Sequence, residues 1–352
     1  MKKTGLALLL AATHVCTWAA DPVYTVQMLG ADYSPSDINN RGEVLQSLVG
    51  SGASNTILVT ASGRITIGGL GGSKVSGAGL NDAGIVVGSA SLAGDGASHA
   101  YIYDNGTTRD LGTLGGLSSF ANGINNAGMV VGTSEIAGGG AHAFVYTASG
   151  GMQDIGTLGG AESRAYGLSE TGDVIGAAQT ASGEWHSFLY SNGVMTDLDL
   201  LYGAGMGGIG PNGELFGTSS YFSPSGNEHY YMMLENSSWY PPGGKMAFPI
   251  SMSNGYISGL DEWGAFALLG TPTGTYYLDD LAGGGWTILT GNAVNDLGQV
   301  AAWACNWDNG YGCGAILMSP VPEPATYGML GLGLGVVALA RRRKVTAVSC
   351  SA

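Results

Sequence analysis

Four histidines recur at nearly regular intervals along the chain, and histidine is a side chain that commonly binds zinc or transfers protons near neutral pH. They are His99, His142, His186 and His229. Regular spacing places one histidine in each copy of a repeated unit, whereas the ligands of a zinc ion must all lie within ~2.1 Å of one point. We therefore interpret these residues as structural, with each imidazole bonding to a neighbouring strand or turn, and we predict no metal site.

Three aspartates recur in the same way, at Asp110, Asp154 and Asp197. A repeated carboxylate is rarely a unique acid or base, so we interpret these residues as turn-stabilising groups. Gly203, Gly205 and Gly208 match the spacing of a dinucleotide-binding loop, but such matches arise by chance in a chain with 63 glycines among 352 residues. The sequence thus predicts no catalytic residue and no cofactor, in a protein that is not an enzyme.

Two cysteines flank a turn signal near the end of the chain. Cys305 and Cys313 are separated by a stretch that contains Asn309 and Gly310, a pair that favours a tight turn between antiparallel strands. In an oxidising compartment, two cysteines that face each other across a hairpin form a disulfide. We predict a bond between Cys305 and Cys313, with two small buried thiols as the alternative.

Aromatic side chains are concentrated between residues 219 and 290, the least repetitive part of the chain. On exposed loops such side chains can stack against sugar rings, whereas inside a sheet they fill an ordinary core. The candidate ligand contacts are Trp239, Tyr240, Trp263 and Trp286. Both interpretations stay open at this point.

The chain is acidic, with 26 Asp and Glu residues against 12 Lys and Arg residues and a net charge of −14. Half of the basic residues lie at the two ends, so the region between the ends is more acidic than the chain as a whole. A surface of this charge repels phosphate backbones, and we predict no nucleic-acid partner.

The first residues have the order of a secretory signal. Lys2 and Lys3 precede an apolar run at residues 6–12, and small residues follow near Ala19. Charged, apolar and small residues in this order are typical of a signal peptide. We predict that residues 1–19 are the signal peptide and that the chain is exported across the inner membrane.

The last residues contain three ordered elements. A Pro-Glu-Pro motif is followed by an apolar run at 325–340 and by a basic cluster at 341–344. The run is short for a bilayer core of ~30 Å, but arginine side chains at its end can reach towards the headgroups. Because basic residues favour the cytoplasmic side, we predict a transmembrane helix over residues 325–340 with the bulk of the chain outside. A buried, glycine-rich core helix is the alternative.

These three elements together resemble the PEP-CTERM sorting signal. The residues that carry the resemblance are Pro322, Glu323, Pro324, Arg341, Arg342 and Arg343. In that family the signal is recognised by an exosortase in the inner membrane, so the resemblance implies an exosortase-type processing enzyme as a partner and a sorting signal over residues 320–352. This chain continues after the basic cluster with residues 345–352, whereas members of the family usually stop soon after it.

A unit of about 43 residues repeats between the two ends. Each copy contains a turn that ends in glycine and, further on, a short strand of aromatic or aliphatic residues. The turn glycines are Gly42, Gly84, Gly128, Gly172, Gly213, Gly255 and Gly298. Two strands flank the turn, and the aromatic strand and a strand of the type Asp-Leu-Gly-Thr-Leu complete a set of four. This pattern predicts an all-β, seven-bladed β-propeller-like domain over residues 20–319, with a β-solenoid as the alternative.

The two ends of the repeat array are complementary. The last copy of the repeat ends after its aromatic strand, at residues 315–318, and lacks a fourth strand. The segment 24–30 looks like such a fourth strand, but no copy of the repeat precedes it. We predict that this N-terminal strand pairs with the last copy and closes the ring. Closure removes the unpaired edges that an open sheet would expose.

The repeat resembles the HAF family of extracellular repeats, which are found in secreted bacterial proteins. The resemblance rests on His142-Ala143-Phe144 and its relatives His99-Ala100-Tyr101 and His186-Ser187-Phe188, together with the Asp-Leu-Gly-Thr-Leu-Gly-Gly type of segment at 110–116. The family is named for its repeat, so the resemblance implies no biochemical activity.

These observations predict an exported cell-surface or extracellular-matrix repeat protein with a structural or adhesion role, sorted through its C-terminal anchor. The sorting signal and the lack of catalytic motifs carry this prediction. A carbohydrate-binding propeller is the first alternative, and extracellular polysaccharide would then be its partner. A secreted polysaccharide hydrolase or lyase is the second alternative, because the channels of propellers can also hold active sites.

Overall fold

The computed structural model describes residues 22–48, 55–198, 205–222, 228–235, 246–261, 263–308, 310 and 312–322. Within these ranges the chain forms 27 strands and one short helix. Several predicted features lie outside the described residues: the signal peptide at 1–19, the apolar run at 325–340, Trp239, Tyr240, Glu323, Pro324, Arg341, Arg342 and Arg343.

The strands form seven antiparallel sheets, numbered here in chain order. Sheet 1 contains β2 (Tyr33–Ile38), β3 (Val44–Leu48), β4 (Thr56–Thr60) and β5 (Gly63–Thr66). Sheet 2 contains β6 (Gly71–Leu80), β7 (Val86–Leu92), β8 (Ser98–Asp104) and β9 (Thr107–Asp110). Sheet 3 contains β10 (Gly115–Ile124), β11 (Val130–Ile136), β12 (Ala141–Thr147) and β13 (Gly151–Asp154). Sheet 4 contains β14 (Gly159–Leu168), β15 (Val174–Thr180), β16 (Trp185–Ser191) and β17 (Val194–Asp197).

The remaining sheets continue the series. Sheet 5 contains β18 (Gly205–Ile209), β19 (Leu215–Phe222) and β20 (Glu228–Glu235). Sheet 6 contains β21 (Met246–Ser253), β22 (Tyr256–Asp261), β23 (Ala267–Thr271) and β24 (Gly274–Tyr277). Sheet 7 contains β25 (Thr287–Val294), β26 (Val300–Asn306), β27 (Gly312–Pro320) and, as its outer strand, β1 (Tyr24–Gly30).

The sheets are arranged around a central channel. The innermost strands contact one another in the order β2, β6, β10, β14, β18, β21 and β25, and β25 contacts β2 again. The fold is therefore an all-β propeller, and a linear solenoid is excluded because the array returns to its start. Six sheets are complete four-stranded blades where the sequence predicted seven. Sheet 5 has three strands among the described residues.

The N-terminal strand closes the ring, as predicted. β1 pairs antiparallel with β27, with Tyr24 opposite Pro320 and Val26 opposite Met318. Tyr24 and Leu29 are buried, so this strand also supplies core to sheet 7 and its neighbours. The pairing joins parts of the chain that are far apart in sequence and leaves sheet 7 without the gap that the last repeat alone would have.

The aromatic strand β12 shows why apolar residues run continuously along the third strands. Ala143, Phe144, Val145 and Tyr146 are each 9 % exposed or less. Phe144 and Tyr146 pack towards sheet 2, whereas Ala143 and Val145 pack towards sheet 4. A blade is thus buried on both faces, and the alternation expected of a half-exposed strand disappears.

Glycine allows the first and second strands to approach closely at one repeated position. A Cβ atom on Gly132 in β11 would lie 2.0 Å from the carbonyl oxygen of Phe120 in β10. Gly88 and Gly176 stand at the same place in sheets 2 and 4 and would meet the corresponding oxygens at 1.9 and 2.0 Å. Part of the high glycine content therefore follows from close backbone contact.

The Asp-Leu-Gly-Thr-Leu segments are strands only in their first part, which corrects the prediction. β9 ends at Asp110, and the residues after it cross to the first strand of the next sheet. The Asp110 carboxylate accepts the N–H of Gly112 at 2.7 Å. Gly112 has a φ of 74°, a conformation that favours glycine and turns the chain away from the sheet.

Asparagine side chains link the turns between the first and second strands. Within its own turn, the Asn81 Oδ1 atom accepts the N–H groups of Ala83 and Ile85 at 3.1 and 3.0 Å. The Asn81 Nδ2 atom donates to the carbonyl oxygen of Asn125 in the next sheet at 3.2 Å. Asn39, Asn125 and Asn295 donate to the following turn in the same way, at 2.9–3.1 Å. We call Asn39, Asn81, Asn125 and Asn295 the asparagine ring.

The helix α1 (Leu278–Ala282) lies between sheets 6 and 7 and buries Leu278 and Leu281. No helix among the described residues is long and apolar enough to cross a membrane. The transmembrane helix predicted at 325–340 lies outside the described residues and stays a prediction.

Removal of residues 21–30 should lower the melting temperature sharply and promote aggregation. The reason is that β27 would become an exposed edge strand and the core around Leu29 would open. Thermal denaturation combined with light scattering measures both effects. The single change Leu29→Ala should destabilise the fold by about 2–4 kcal/mol.

Val23→Ala is the matched control for this experiment. Val23 precedes the same strand but is 62 % exposed, so its truncation should change stability by less than ~0.5 kcal/mol. A truncated protein that melts like the intact chain would show that β1 does not stabilise the ring.

Candidate functional site

The two ends of the propeller carry different connections. We call the end where the first and second strands are joined, which holds the asparagine ring, the turn end. We call the opposite end, where the second and third strands are joined, the loop end. β27 runs towards the turn end and β1 starts there, so both β1 and β27 have their outer ends, Tyr24 and Pro320, on this side.

The sorting motif predicted from the sequence starts at the edge of the last sheet. Pro320 is the final residue of β27, and the N–H of Val321 donates to the carbonyl oxygen of Val23 at 2.7 Å. Pro322 follows and is exposed at the turn end. The first proline of the motif therefore follows the last strand of the propeller after a single residue.

The two cysteines predicted to pair are bonded at the loop end. The register of β26 and β27 places Cys305 directly opposite Cys313, and their sulfur atoms form a disulfide. The side-chain amide of Asn306 donates to the carbonyl oxygen of Gly284 at 2.9 Å. The base of the loop between β26 and β27 is thus fixed both covalently and by a hydrogen bond.

The candidate aromatic side chains fall into different environments. Trp263 lies in the connection between β22 and β23 at the loop end and is 74 % exposed. Trp286 is partly buried against the core that contains Ile288 and Leu278, so its packing is that of a core residue. Trp307, in the loop bracketed by the disulfide, is 72 % exposed. The sequence pattern did not single out Trp307 because it lies beyond the aromatic-rich interval; its place between the two cysteines was the available signal.

Two carboxylates line a cavity at the same end of the propeller. A cavity of about 320 Å³ is lined by Phe266, Ala267, Tyr277, Asp279 and Asp280. Asp279 accepts the N–H of Ile288 at 2.6 Å, and burial raises the pKa of its carboxyl group. The loop end of sheets 6 and 7 therefore combines exposed aromatic faces with hydrogen-bond acceptors, a combination suited to sugar rings and their hydroxyl groups.

The repeated histidines and aspartates meet in pairs. The Nδ1 atoms of His99, His142 and His186 lie 2.9, 2.7 and 2.7 Å from carboxylate oxygens of Asp110, Asp154 and Asp197. Each pair joins the third strand of a sheet to the end of its fourth strand, which is the kind of contact that the structural interpretation expects. In the ranges that the structure describes, no group of three His, Cys, Asp or Glu side chains is placed to hold a metal ion.

A second set of polar groups surrounds the mouth of the channel at the turn end. The backbone N–H of Asn40 donates to Asp82 at 2.8 Å, and the N–H of Asp82 donates to Asn126 at 2.8 Å. Across the closing seam, the N–H of Asp296 donates to the Asn40 Oδ1 atom at 2.9 Å. Glu170 accepts the N–H of Asn126 at 3.0 Å. The carboxylates at this mouth are therefore bonded to N–H groups of neighbouring sheets.

Asp37 is a carboxyl group inside the channel. It stands on β2, and its two oxygens accept the N–H groups of Ile38 and Leu80, each at 2.8 Å. Burial raises the pKa of Asp37 to about 7, and the charge of Asp82 acts in the same direction, whereas the two N–H groups act against them. At the same point of β6 the chain has Gly79, so this carboxyl group is not part of the repeat.

A cavity of about 780 Å³ lies at the turn end between sheets 2, 3 and 4. The Arg109 guanidinium carbon lies 5.6 Å from the centroid of the Tyr146 ring, and Asp104 and Glu170 also line the cavity. The position of Arg109 is taken by Gln153 in sheet 3. This cavity is therefore chemically different from the equivalent junction of the next pair of sheets.

Comparison with protein families supports the assignment of the C-terminal segment. Residues 320–344 match the PEP-CTERM protein-sorting motif, which confirms the prediction made from Pro322-Glu323-Pro324 and the basic cluster. The resemblance of the repeat to the HAF family stays a prediction. No curated protein matches the chain.

Solved structures are similar to this chain at low sequence identity. The β-propeller domain of the Trilobed protease from Pyrococcus furiosus is 9 % identical over 78 % of this chain and 92 % of that domain, with a TM-score of 0.52. YCF48 bound to a D1 peptide is 13 % identical over 87 % of this chain and 98 % of its own, with a TM-score of 0.49. TolB from Acinetobacter baumannii is 14 % identical, with a TM-score of 0.38. The match covers 82 % of this chain, which spans 54 % of the length of TolB. The first of these similarities supports the propeller fold alone.

The pH dependence of stability should reveal the carboxyl group in the channel. Because the pKa of Asp37 rises from 3.8 to about 7 on folding, the folded state binds the extra proton and loses stability as the pH rises from about 4 through 7. Asp37→Asn should remove this dependence. The stability of the variant relative to the natural protein should therefore improve between pH 4 and pH 8 by up to about 4 kcal/mol, at about 1.4 kcal/mol for each pKa unit.

Chemical denaturation at pH 4 and pH 8 measures the effect as the difference in stability between the variant and the natural protein. The asparagine amide group cannot accept one of the hydrogen bonds that Asp37 accepts, but this loss contributes equally at both pH values and cancels when the two differences are compared. Ser36→Ala, in the same channel, is the control and should leave the pH dependence unchanged. If the stabilities of Asp37→Asn and of the natural protein changed with pH in parallel, the prediction would be contradicted.

Proposed function

We propose that this chain is an exported, non-catalytic propeller that is displayed at the cell surface or in the extracellular matrix and has a structural or adhesion role. The sorting motif at the edge of sheet 7 is the observation that carries the proposal, since a PEP-CTERM signal implies export through C-terminal sorting. An exosortase-type enzyme is the expected processing partner. The inner membrane is the expected site of anchoring through residues 325–340.

The distribution of polar groups supports a non-catalytic role. The histidines and aspartates recur in sheets 2, 3 and 4 with the same partner in each. The asparagine ring and the acidic residues at the channel mouth are bonded to the backbone of neighbouring sheets. Groups that are repeated and satisfied in this way hold blades together and do not form a unique reacting centre.

A carbohydrate-binding role is the second candidate, and one observation favours it. Trp263 and Trp307 are more than 70 % exposed on adjacent sheets at the loop end, and the sorting segment leaves from the turn end. A protein anchored through that segment presents both rings away from the membrane. Exposed tryptophan faces at an end of the propeller that also carries carboxylates are suited to extracellular polysaccharide.

Deletion of residues 325–352 should release the protein from the membrane in soluble form, because it removes the apolar run and the basic cluster. Fractionation of cells followed by detection of the protein in membrane and soluble fractions gives the result. Deletion of residues 345–352 alone is the matched control and should leave the protein with the membrane. Continued membrane association of the longer deletion would contradict the anchoring proposal.

A glycan array should separate the two candidate functions. If the loop end binds sugars, Trp263→Ala and Trp307→Ala should each weaken binding about five- to tenfold, which corresponds to ~1–1.4 kcal/mol per lost stacking contact. Trp185→Ala is the control, because Trp185 lies in sheet 4 beneath the Arg164 guanidinium group, whose carbon is 5.1 Å from the ring centroid. No binding to any glycan would leave the structural or adhesion role as the better explanation, and equal losses in all three variants would reject the assignment to sheets 6 and 7.

A further inference from the structure

The distance between the propeller and the membrane is limited by the chain that joins them. Val321 is fixed to sheet 7 by its hydrogen bond to Val23, and the apolar run begins at residue 325. Four residues span at most ~14 Å when fully extended. A chain anchored through residues 325–340 therefore holds the turn end of sheet 7 within that distance of the lipid.

Three apolar side chains are exposed at this end of sheet 7. Val23, Leu297 and Val321 are 62 %, 56 % and 41 % exposed, and we call them the sheet 7 patch. The hydroxyl group of Tyr24 donates to the carbonyl oxygen of Gly298 at 3.0 Å. This bond fixes the turn that carries Leu297 to the strand that follows Val23, so the three side chains belong to one rigid part of the sheet.

We propose that the sheet 7 patch rests on the lipid surface of the membrane that holds the C-terminal segment, so that the propeller stands on the turn end of its last blade. This inference rests on the proposed anchoring. Exposed aliphatic side chains gain free energy when they enter the headgroup and acyl boundary. The short connection supplies the proximity, and the patch supplies the apolar contact.

The charges at the turn end restrict the contact to one side of the ring. Asp82, Glu170 and Asp296 lie around the channel mouth, and the carboxylate of Asp296, the sheet 7 member of this set, accepts the side-chain amide of Asn40 at 2.9 Å. Carboxylates are repelled by anionic lipid headgroups. The contact therefore falls on the outer strands of sheet 7, beside which Val23 and Val321 are exposed, while the carboxylates of the channel mouth stay in the solvent.

Depth-dependent fluorescence quenching in vesicles tests this orientation. The full-length chain, with Cys16→Ser and Cys350→Ser and the Cys305–Cys313 bond intact, is reconstituted into phosphatidylcholine vesicles that contain brominated lipid. An environment-sensitive fluorophore is attached through Leu297→Cys in one sample and through Leu117→Cys in another. Leu117 is the matched control because it is a leucine that is 62 % exposed and stands near the start of β10, at the loop end.

The probe at position 297 should be quenched about threefold more strongly than the probe at 117, since an interfacial side chain lies ~5–10 Å into the headgroup and acyl boundary. Equal, weak quenching of both probes in a protein that floats with the vesicles would overturn the orientation and leave the anchoring intact. A chain that does not float with the vesicles would overturn the anchoring and this inference with it. Shielding of position 297 that persists in detergent and depends on protein concentration would assign the patch to a second copy of the chain, against the proposal.

Discussion

The pairing of β1 with β27 determines both the shape of the protein and the place where its ends leave the fold. Without β1, the last sheet would present an unpaired edge along β27, and the core residues Tyr24 and Leu29 would be missing from it. The Arg64 guanidinium group adds a bond across the seam to the Leu29 carbonyl oxygen. Because β1 and β27 are antiparallel, their outer ends lie side by side at the turn end. The direction of one strand pair thus decides which end of the propeller faces the sorting segment.

Much of the fold could be predicted from the sequence because the same pattern of turns and strands recurs in each repeat. The spacing of the turn glycines predicted the blades, and the lone strand at 24–30 predicted the closure. The extent of the fourth strands was predicted wrongly. β9 ends at Asp110, and the chain then turns at Gly112, which has a φ of 74° and donates its N–H to the Asp110 carboxylate. The asparagine ring was not predicted, although Asn39, Asn81, Asn125 and Asn295 recur in the sequence. Its bonds run between sheets, and a repeat pattern shows only what happens within each copy.

The features that distinguish one sheet from another are those that depart from the repeat. Asp37 occupies a point where the next sheet has Gly79, and its enclosure in the channel changes its protonation. Trp263 and Trp307 stand on connections between second and third strands, whereas the equivalent connections of sheets 2 to 4, at 93–97, 137–140 and 181–184, contain no tryptophan. Both remain exposed while Trp286 enters the core. Aromatic composition alone could not separate these cases, because a tryptophan contributes to a core or to a surface according to the sheet that packs above it. The distance that the short connection after Val321 allows between the propeller and the membrane can likewise be inferred only when the end of β27 is known.

The distance in sequence between β1 and β27 also sets the order in which the molecule can form. β1 is the first strand of the ring to be synthesised, and its partner is the last, so the pair can form only when almost the whole chain is available. Contacts of such long sequence separation are slow to form and leave intermediate states with open sheet edges. The turns of each blade, by contrast, close within short stretches of the chain. Blades can therefore form early and one by one, while the molecule becomes a ring in a single late step that takes place beside the segment carrying the sorting signal.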